Sequence, residues 1–96
     1  MEFTTKGIPR SLQFAFQEYD LEKLNPDEDA FTIIERTLAY GNRAELRWLF
    51  ARYGSARLAA WVREAGWRTL PRRRCGFWAS YFGLQNLPQR KGIWPY

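Results

Sequence analysis

The sequence predicts an all-α protein, and three observations carry that expectation. Apolar residues recur at helical spacing in successive segments. Asn, Pro and Gly stand where such helices would start and stop. The one run with strand alternation, Leu12, Phe14 and Phe16, has no partner strand in view. The expected architecture is a compact bundle of four main helices at about 26–40, 43–53, 56–65 and 71–82. An N-terminal arm or short helix precedes them and an extended tail follows. Residues 1–84 then form a single helical domain on which residues 1–25 dock, and 85–96 form the C-terminal tail. At 96 residues the chain is one small domain, and its seven Phe, five Tyr and five Trp supply the bulk that a core of this size needs.

The first segment admits two readings. Leu12, Phe14 and Phe16 alternate with Gln13, Ala15 and Gln17 as in a strand, while Ser11 can cap a short helix with Leu12, Ala15, Phe16 and Tyr19 on one face. The missing partner strand favours a short helix or an irregular arm. The next helix starts at Asn25-Pro26-Asp27-Glu28-Asp29. The Asn25 side chain accepts a free first-turn N–H, Pro26 suits the first helical position, and the three carboxylates complement the helix dipole. Leu24 can staple onto Ala30 or Phe31. Phe31, Ile34 and Leu38, with Ile33 beside them, form the apolar stripe, and Gly41 ends the helix.

Asn42 caps the second helix, whose buried face is Leu46, Leu49, Phe50 and Tyr53 at i, i+3, i+4 and i+7. Gly54 stops it and Ser55 caps the third, where Leu58, Trp61, Val62 and Ala65 repeat the spacing until Gly66. Pro71 opens the fourth, with Arg74, Phe77, Trp78, Tyr81 and Phe82, and Gly83 closes it. The tail from Leu84 to Tyr96 reads as an extended arm pinned by Trp94 and Tyr96.

Composition excludes much chemistry. With no histidine there is no Ser-His-Asp triad, no imidazole base and no His-ligated zinc. The single cysteine, Cys75, makes neither an internal disulfide nor a four-cysteine site, and a lone thiol fits a reducing cytosol. No segment approaches the ~20 apolar residues of a membrane span, and Met1 to Lys6 lead into no apolar signal segment. The acidic run at Asp27, Glu28 and Asp29, with Asp20 and Glu22, lacks EF-hand spacing, and a helix start explains it. No enzyme, cofactor or metal is expected, and the location expected is cytoplasmic.

Charge is unevenly placed. Residues 1–40 hold four basic and eight acidic side chains, net −4, whereas 41–96 hold eleven basic and two acidic, net +9. Either the acidic front neutralises the basic back within the fold, or the second half meets an anionic partner. Arg72-Arg73-Arg74 is the sharpest element: cations in a first helical turn oppose the dipole, each costing ~0.3–1 kcal/mol, at a position where anions are favoured. Arg43 and Arg47 lie one turn apart beside the Leu46/Leu49/Phe50 stripe. Trp48 points away from that stripe, between Arg47 and Arg52, as a hot-spot tryptophan or as a core residue under a covering helix. The candidate partner- or anion-binding residues are therefore Arg43, Arg47, Trp48, Arg72, Arg73 and Arg74. Residues 56–65, a connection at 66–70 and the helix at 71–82 also outline a helix-turn-helix. The connection is longer than the usual turn of about 3–4 residues, and past Arg74 few polar side chains could reach base edges.

Leu24-Asn25-Pro26, Ile33-Ile34-Glu35-Arg36-Thr37-Leu38-Ala39-Tyr40-Gly41, Leu46-Arg47-Trp48-Leu49-Phe50-Ala51-Arg52-Tyr53-Gly54, then Phe77-Trp78 and Phe82-Gly83-Leu84 form a pattern over roughly residues 8–84. It resembles a family of small bacterial helical proteins often encoded beside nucleotidyltransferases of the AbiEii type, the toxin component of abortive-infection toxin–antitoxin systems. The resemblance implies an antitoxin-like small partner that masks the enzyme's acidic, metal- and nucleotide-binding cleft, and it carries over no catalytic residue. The arginine triplet is more basic than that pattern, and the tail lies outside it. A DNA-binding regulator that uses the basic second half is the alternative. Partner identity and oligomeric state are not legible.

Overall fold

The computed structural model describes residues 2–84, and the expected tail at 85–96 lies outside them. The fold is all-α. In order come a 3₁₀ segment (Arg10–Phe16), a second 3₁₀ turn (Leu21–Lys23), α1 (Ala30–Tyr40), α2 (Arg43–Tyr53) and α3 (Ser55–Trp61). A π-helical turn (Val62–Gly66), α4 (Trp67–Thr69) and α5 (Arg72–Tyr81) complete it. Among the described residues the only β pairing is an isolated bridge between Phe3 and Pro9. It closes a turn at Gly7, whose φ of 91° suits glycine, and it aims Ile8 inward.

The short-helix reading of the first segment holds. Leu12, Ala15 and Phe16 are buried as one face. Tyr19 stays 41% exposed, and Ser11 caps nothing: Pro9 stands at the N-cap, and the Ser11 hydroxyl donates to the Glu45 carboxylate at 2.5 Å. This front segment forms part of the core itself, because Ile8, Leu12, Phe16, Leu21 and Leu24 join Ile33, Ile34, Leu38, Leu49, Leu58 and Val62 in one cluster. Burial of such side chains is the main source of stability in a chain this short.

α1 begins four residues later than expected. Asn25 Oδ1 accepts from the N–H groups of Asp27 and Glu28 at 2.8 and 3.1 Å, and Asp29 Oδ2 accepts from Asn25 N–H at 2.8 Å. The residues between them form turns rather than regular helix. The stripe is also rotated from expectation: Ala30, Ile33, Ile34, Thr37 and Leu38 are buried, while Phe31 is 45% exposed and packs on Trp61 with ring centroids 5.3 Å apart.

α2 buries Leu49 and Tyr53 as expected, but Leu46 and Phe50 only partly, and Glu45 completely. Gly54 joins α2 to α3 at φ 86°, a left-handed conformation that suits glycine. It is the N-cap residue, so Ser55 is the first helical residue rather than the cap.

The expected stop at Gly66 is wrong. Gly66 is helical (φ −59°, ψ −39°), and the chain runs through the π turn into α4. A Cβ at Gly66 would stand 3.2 Å from Val62 Cγ1 and 3.5 Å from Leu70 Cδ1, so the glycine lets Val62 and Leu70 close over the backbone there. The connection to α5 is therefore Leu70-Pro71 alone, in place of the five residues expected. α5 returns across the π turn and α1. There the carbonyl of Leu38, left without an intrahelical partner near the end of α1, accepts from Trp78 Nε1 at 3.0 Å and Arg74 Nη1 at 3.1 Å.

Candidate functional site

On α2, Arg43, Leu46, Arg47 and Phe50 share one flank by helical spacing. On α5, Arg73, Phe77 and Tyr81 repeat every four residues beside Arg74 and Trp78. α5 is pinned to α1 through Leu38, and α2 and α5 meet chiefly through side chains. The result is an open groove with two adjoining lobes. The larger, about 660 Å³, is lined by Arg43, Leu46, Arg47, Phe50, Phe77, Trp78 and Tyr81. The other, about 430 Å³, is lined by Gly41, Arg43, Leu46, Arg73, Arg74 and Phe77. Neither lining includes a carboxylate.

The apolar side of the groove is an aromatic cluster. Trp78 is buried and holds the cluster to the core. Phe50 contacts Trp78, Tyr81 and Phe82 with centroids 5.8–5.9 Å apart, and Phe77 sits edge-on to Trp78 at 4.8 Å. Such edge and offset geometries suit the ring quadrupole. Yet Phe77 is 55% and Tyr81 61% exposed. Two large rings left open side by side, with arginines around them, have the composition of interaction hot spots.

Four of the six residues expected at a site converge here: Arg43, Arg47, Arg73 and Arg74. Arg74 is drawn partly inward by the Leu38 carbonyl. Arg72 is exposed at the start of α5 but lines neither lobe. Trp48 departs from the site: it is half-buried, packs against the core cluster and meets Tyr53 edge-on at 6.3 Å. Trp48 therefore stands at the edge of the core, with its ring partner Tyr53 on the same helix.

The acidic front is engaged elsewhere. Arg36 holds Glu18 in a fork, Nη2 to Oε2 at 2.8 Å and Nη1 to Oε1 at 3.0 Å. That hydrogen-bonded guanidinium lowers the Glu18 carboxyl to a pKa of about 2. Glu22 pairs with Arg10 and accepts from the backbone and side chain of Thr5, which hold its pKa below the ordinary range. Among the described ion pairs, only Arg52–Asp27, at 2.5 Å, joins the acidic front to the basic back. No described ion pair involves Arg43, Arg47 or Arg73. Among the described residues no three His, Cys, Asp or Glu side chains stand together as a metal site.

Two features escape the sequence reading. Glu45 is fully buried: its carboxylate accepts from Asn42 N–H at 2.8 Å, Asn42 Oδ1 accepts from Glu45 N–H at 2.9 Å, and the Ser11 hydroxyl completes the set. The Asn-x-x-Glu spacing of a capping box signals this. With Glu45 buried, Glu64 is the one exposed carboxylate in the described second half. Phe77 and Tyr81 are the other omission, signalled by their i+4 and i+8 spacing from Arg73.

An all-α domain with an arginine-rimmed aromatic groove is thus the class that fold and site define. Residues 12–62 match DUF6922, a family of unknown function. The match spans more than half of the chain, and the chain belongs to that family. No curated protein and no solved structure gives a significant match. No helix among the described residues is long and apolar enough to cross a membrane.

Proposed function

We propose that this is a non-enzymatic binding protein whose α2–α5 groove docks an acidic protein surface. We propose further that the partner is a nucleotidyltransferase encoded beside it, which the chain masks as an antitoxin masks its toxin. The observation that carries the reading is the convergence of Arg43, Arg47 and Arg73 with Phe77 and Tyr81 around a groove without carboxylates. The resemblance noted above supplies the enzyme class. Metal- and nucleotide-binding clefts present carboxylates, and arginine forks pair with these bidentately. The reading places both partners in the cytosol, where the buried thiol of Cys75 stays reduced. Co-expression with the neighbouring gene product tests it: a stable complex is expected, lost on charge reversal at Arg43, Arg47 and Arg73. A monodisperse mixture without complex overturns it.

A second reading, DNA binding, has Arg72 and Arg73 in its favour, both exposed at the start of α5. Against it, the exposed face of that helix continues with Gly76, Phe77, Ser80 and Tyr81, which leaves Ser80 and Tyr81 as its polar groups beyond the arginines. A two-residue connection is also shorter than the helix-turn-helix norm of about 3–4. Promoter DNA that fails to shift at low salt removes this reading, because phosphate contacts are strongest there.

A further inference from the structure

We infer that the occupant of the α2–α5 groove is an acidic amphipathic helix of the partner. Its apolar side chains lie along the ring cluster, and its carboxylates sit on the arginine rim. The inference rests on the protein-binding reading above and specifies how that site is filled.

Shape gives the first argument. The lining runs from Arg43 to Phe50 on α2 and from Arg73 to Tyr81 on α5, so each wall is ~10–12 Å long at 1.5 Å per residue, matching about two turns of an opposing helix. A segment of that length presents anchors at i, i+4 and i+7 on one face, which is how amphipathic helices engage hydrophobic grooves. Added-strand recognition needs a sheet edge, and the described residues hold only the Phe3–Pro9 bridge.

Charge gives the second argument. Arg43 and Arg47 are one turn apart on one wall, and Arg73 stands across from Arg43 beside Phe77, with no carboxylate in the lining. Carboxylates one turn apart on an occupant helix match the Arg43–Arg47 spacing. A basic occupant would meet like charge along the whole rim.

Exposure gives the third. Phe77 and Tyr81 project beyond the cluster, at 55% and 61% exposed, while Trp78 on the same helix is 3% exposed. Leu46 and Phe50 are only partly covered opposite them. An apolar anchor seated between these residues removes exposed ring surface from water without moving the core.

The test uses a fluorescein-labelled peptide of about twelve residues, with Leu or Phe at i, i+4 and i+7 and mostly Glu between, titrated with the full chain by anisotropy. Saturable binding is expected, weakened about tenfold or more by Phe77→Ala and by Arg47→Glu. Arg63→Glu, exposed and outside the groove, leaves it unchanged. Circular dichroism establishes that each variant is folded, and Tyr81→Ala serves as a second groove variant. Three results overturn the inference: no binding by the peptide, equal binding by a scrambled peptide of the same composition, or tighter binding by an oligo-dT that shares the sensitivity to Phe77→Ala and Arg47→Glu. Failure here is separable from failure of the broader reading. A nucleotidyltransferase complex indifferent to Phe77→Ala removes only the groove occupant. Peptide binding without any enzyme complex removes only the enzyme partner.

Discussion

The start of α2 follows rules that the start of α5 breaks. Ahead of α1, Asn25 accepts from the turn N–H groups of Asp27 and Glu28 and Asp29 returns a bond to Asn25, but the α1 N-cap itself, Asp29, makes no side-chain cap bond. Asn42 and Glu45 form a complete capping box. α5 begins at Pro71 with no side-chain cap and three arginines in the turn where the dipole favours anions. Both starts open onto the groove, through Arg43 of α2 and through Arg73 and Arg74 of α5, but only that of α2 is capped and carries a carboxylate in its first turn. Where local stability rules fail in a natural chain, function is the common reason. Here the break coincides with a groove where, among the described residues, several arginines and open rings gather without a carboxylate.

If that contrast is real, neighbouring residues on α5 must behave oppositely. Trp78→Ala carries the largest expected effect. It empties a buried site and leaves the Leu38 carbonyl short of a donor, so thermal unfolding should register a loss of about 3–5 kcal/mol. Phe77→Ala, one residue away and more than half exposed, should change stability by less than ~0.5 kcal/mol while weakening groove binding about tenfold or more. Equal destabilisation by both would show that the exposed rings are simply part of the core.

Next in size is Glu45→Ala. It removes the acceptor for Asn42 N–H and for the Ser11 hydroxyl, and a loss of about 1–3 kcal/mol is expected in denaturant titrations. Glu45→Gln, which keeps one acceptor oxygen, should recover part of it. A small effect from both would place the start of α2 on the same footing as that of α5.

These tests also mark what was legible in the sequence. Helix existence follows from spacing alone, and Leu38, Leu49 and Leu58 are buried where periodicity puts them, although the α1 stripe is rotated and Leu46 and Phe50 are only partly covered. Phe31 is misplaced on the buried stripe and Trp48 stays open, because a helical wheel does not say which neighbour covers which side. Gly66 reads as a stop because glycine weakens helices, but its function is close approach by Val62 and Leu70, a tertiary fact. Glu45 was legible and overlooked, because its spacing from Asn42 needed no structure. The groove was legible only as separate halves: nothing local to 43–50 or to 73–81 says that the two segments face one another.

A smaller effect separates the acidic front by pH. The Arg36 hydrogen bonds lower the Glu18 carboxyl from 4.5 to about 2 in the folded state. Stability from this pair is therefore fully present above pH 4.5 and is lost as pH falls toward about 2. Melting temperature followed across that window should fall less steeply in Glu18→Gln than in the parent chain, with the two profiles parallel above it. Because Glu18 is exposed and surface pairs are screened, the difference should shrink in high salt. Arg73→Glu, in contrast, should leave the acid profile of the front unchanged.

Arg73→Glu carries a small expected change in stability, and the one whose sign matters most. A glutamate in the first turn of α5 complements the dipole that the arginine opposes, so the variant should be more stable than the parent by ~0.3–1 kcal/mol. The same substitution places a carboxylate in a groove lined by Arg43, Arg74 and Phe77 and should abolish capture of an acidic partner. A protein that becomes more stable as it stops binding is the outcome expected if the arginines at the start of α5 are retained for recognition. If Arg73→Glu destabilises the fold instead, the guanidinium has a structural role, and the contrast between the starts of α2 and α5 loses its functional meaning.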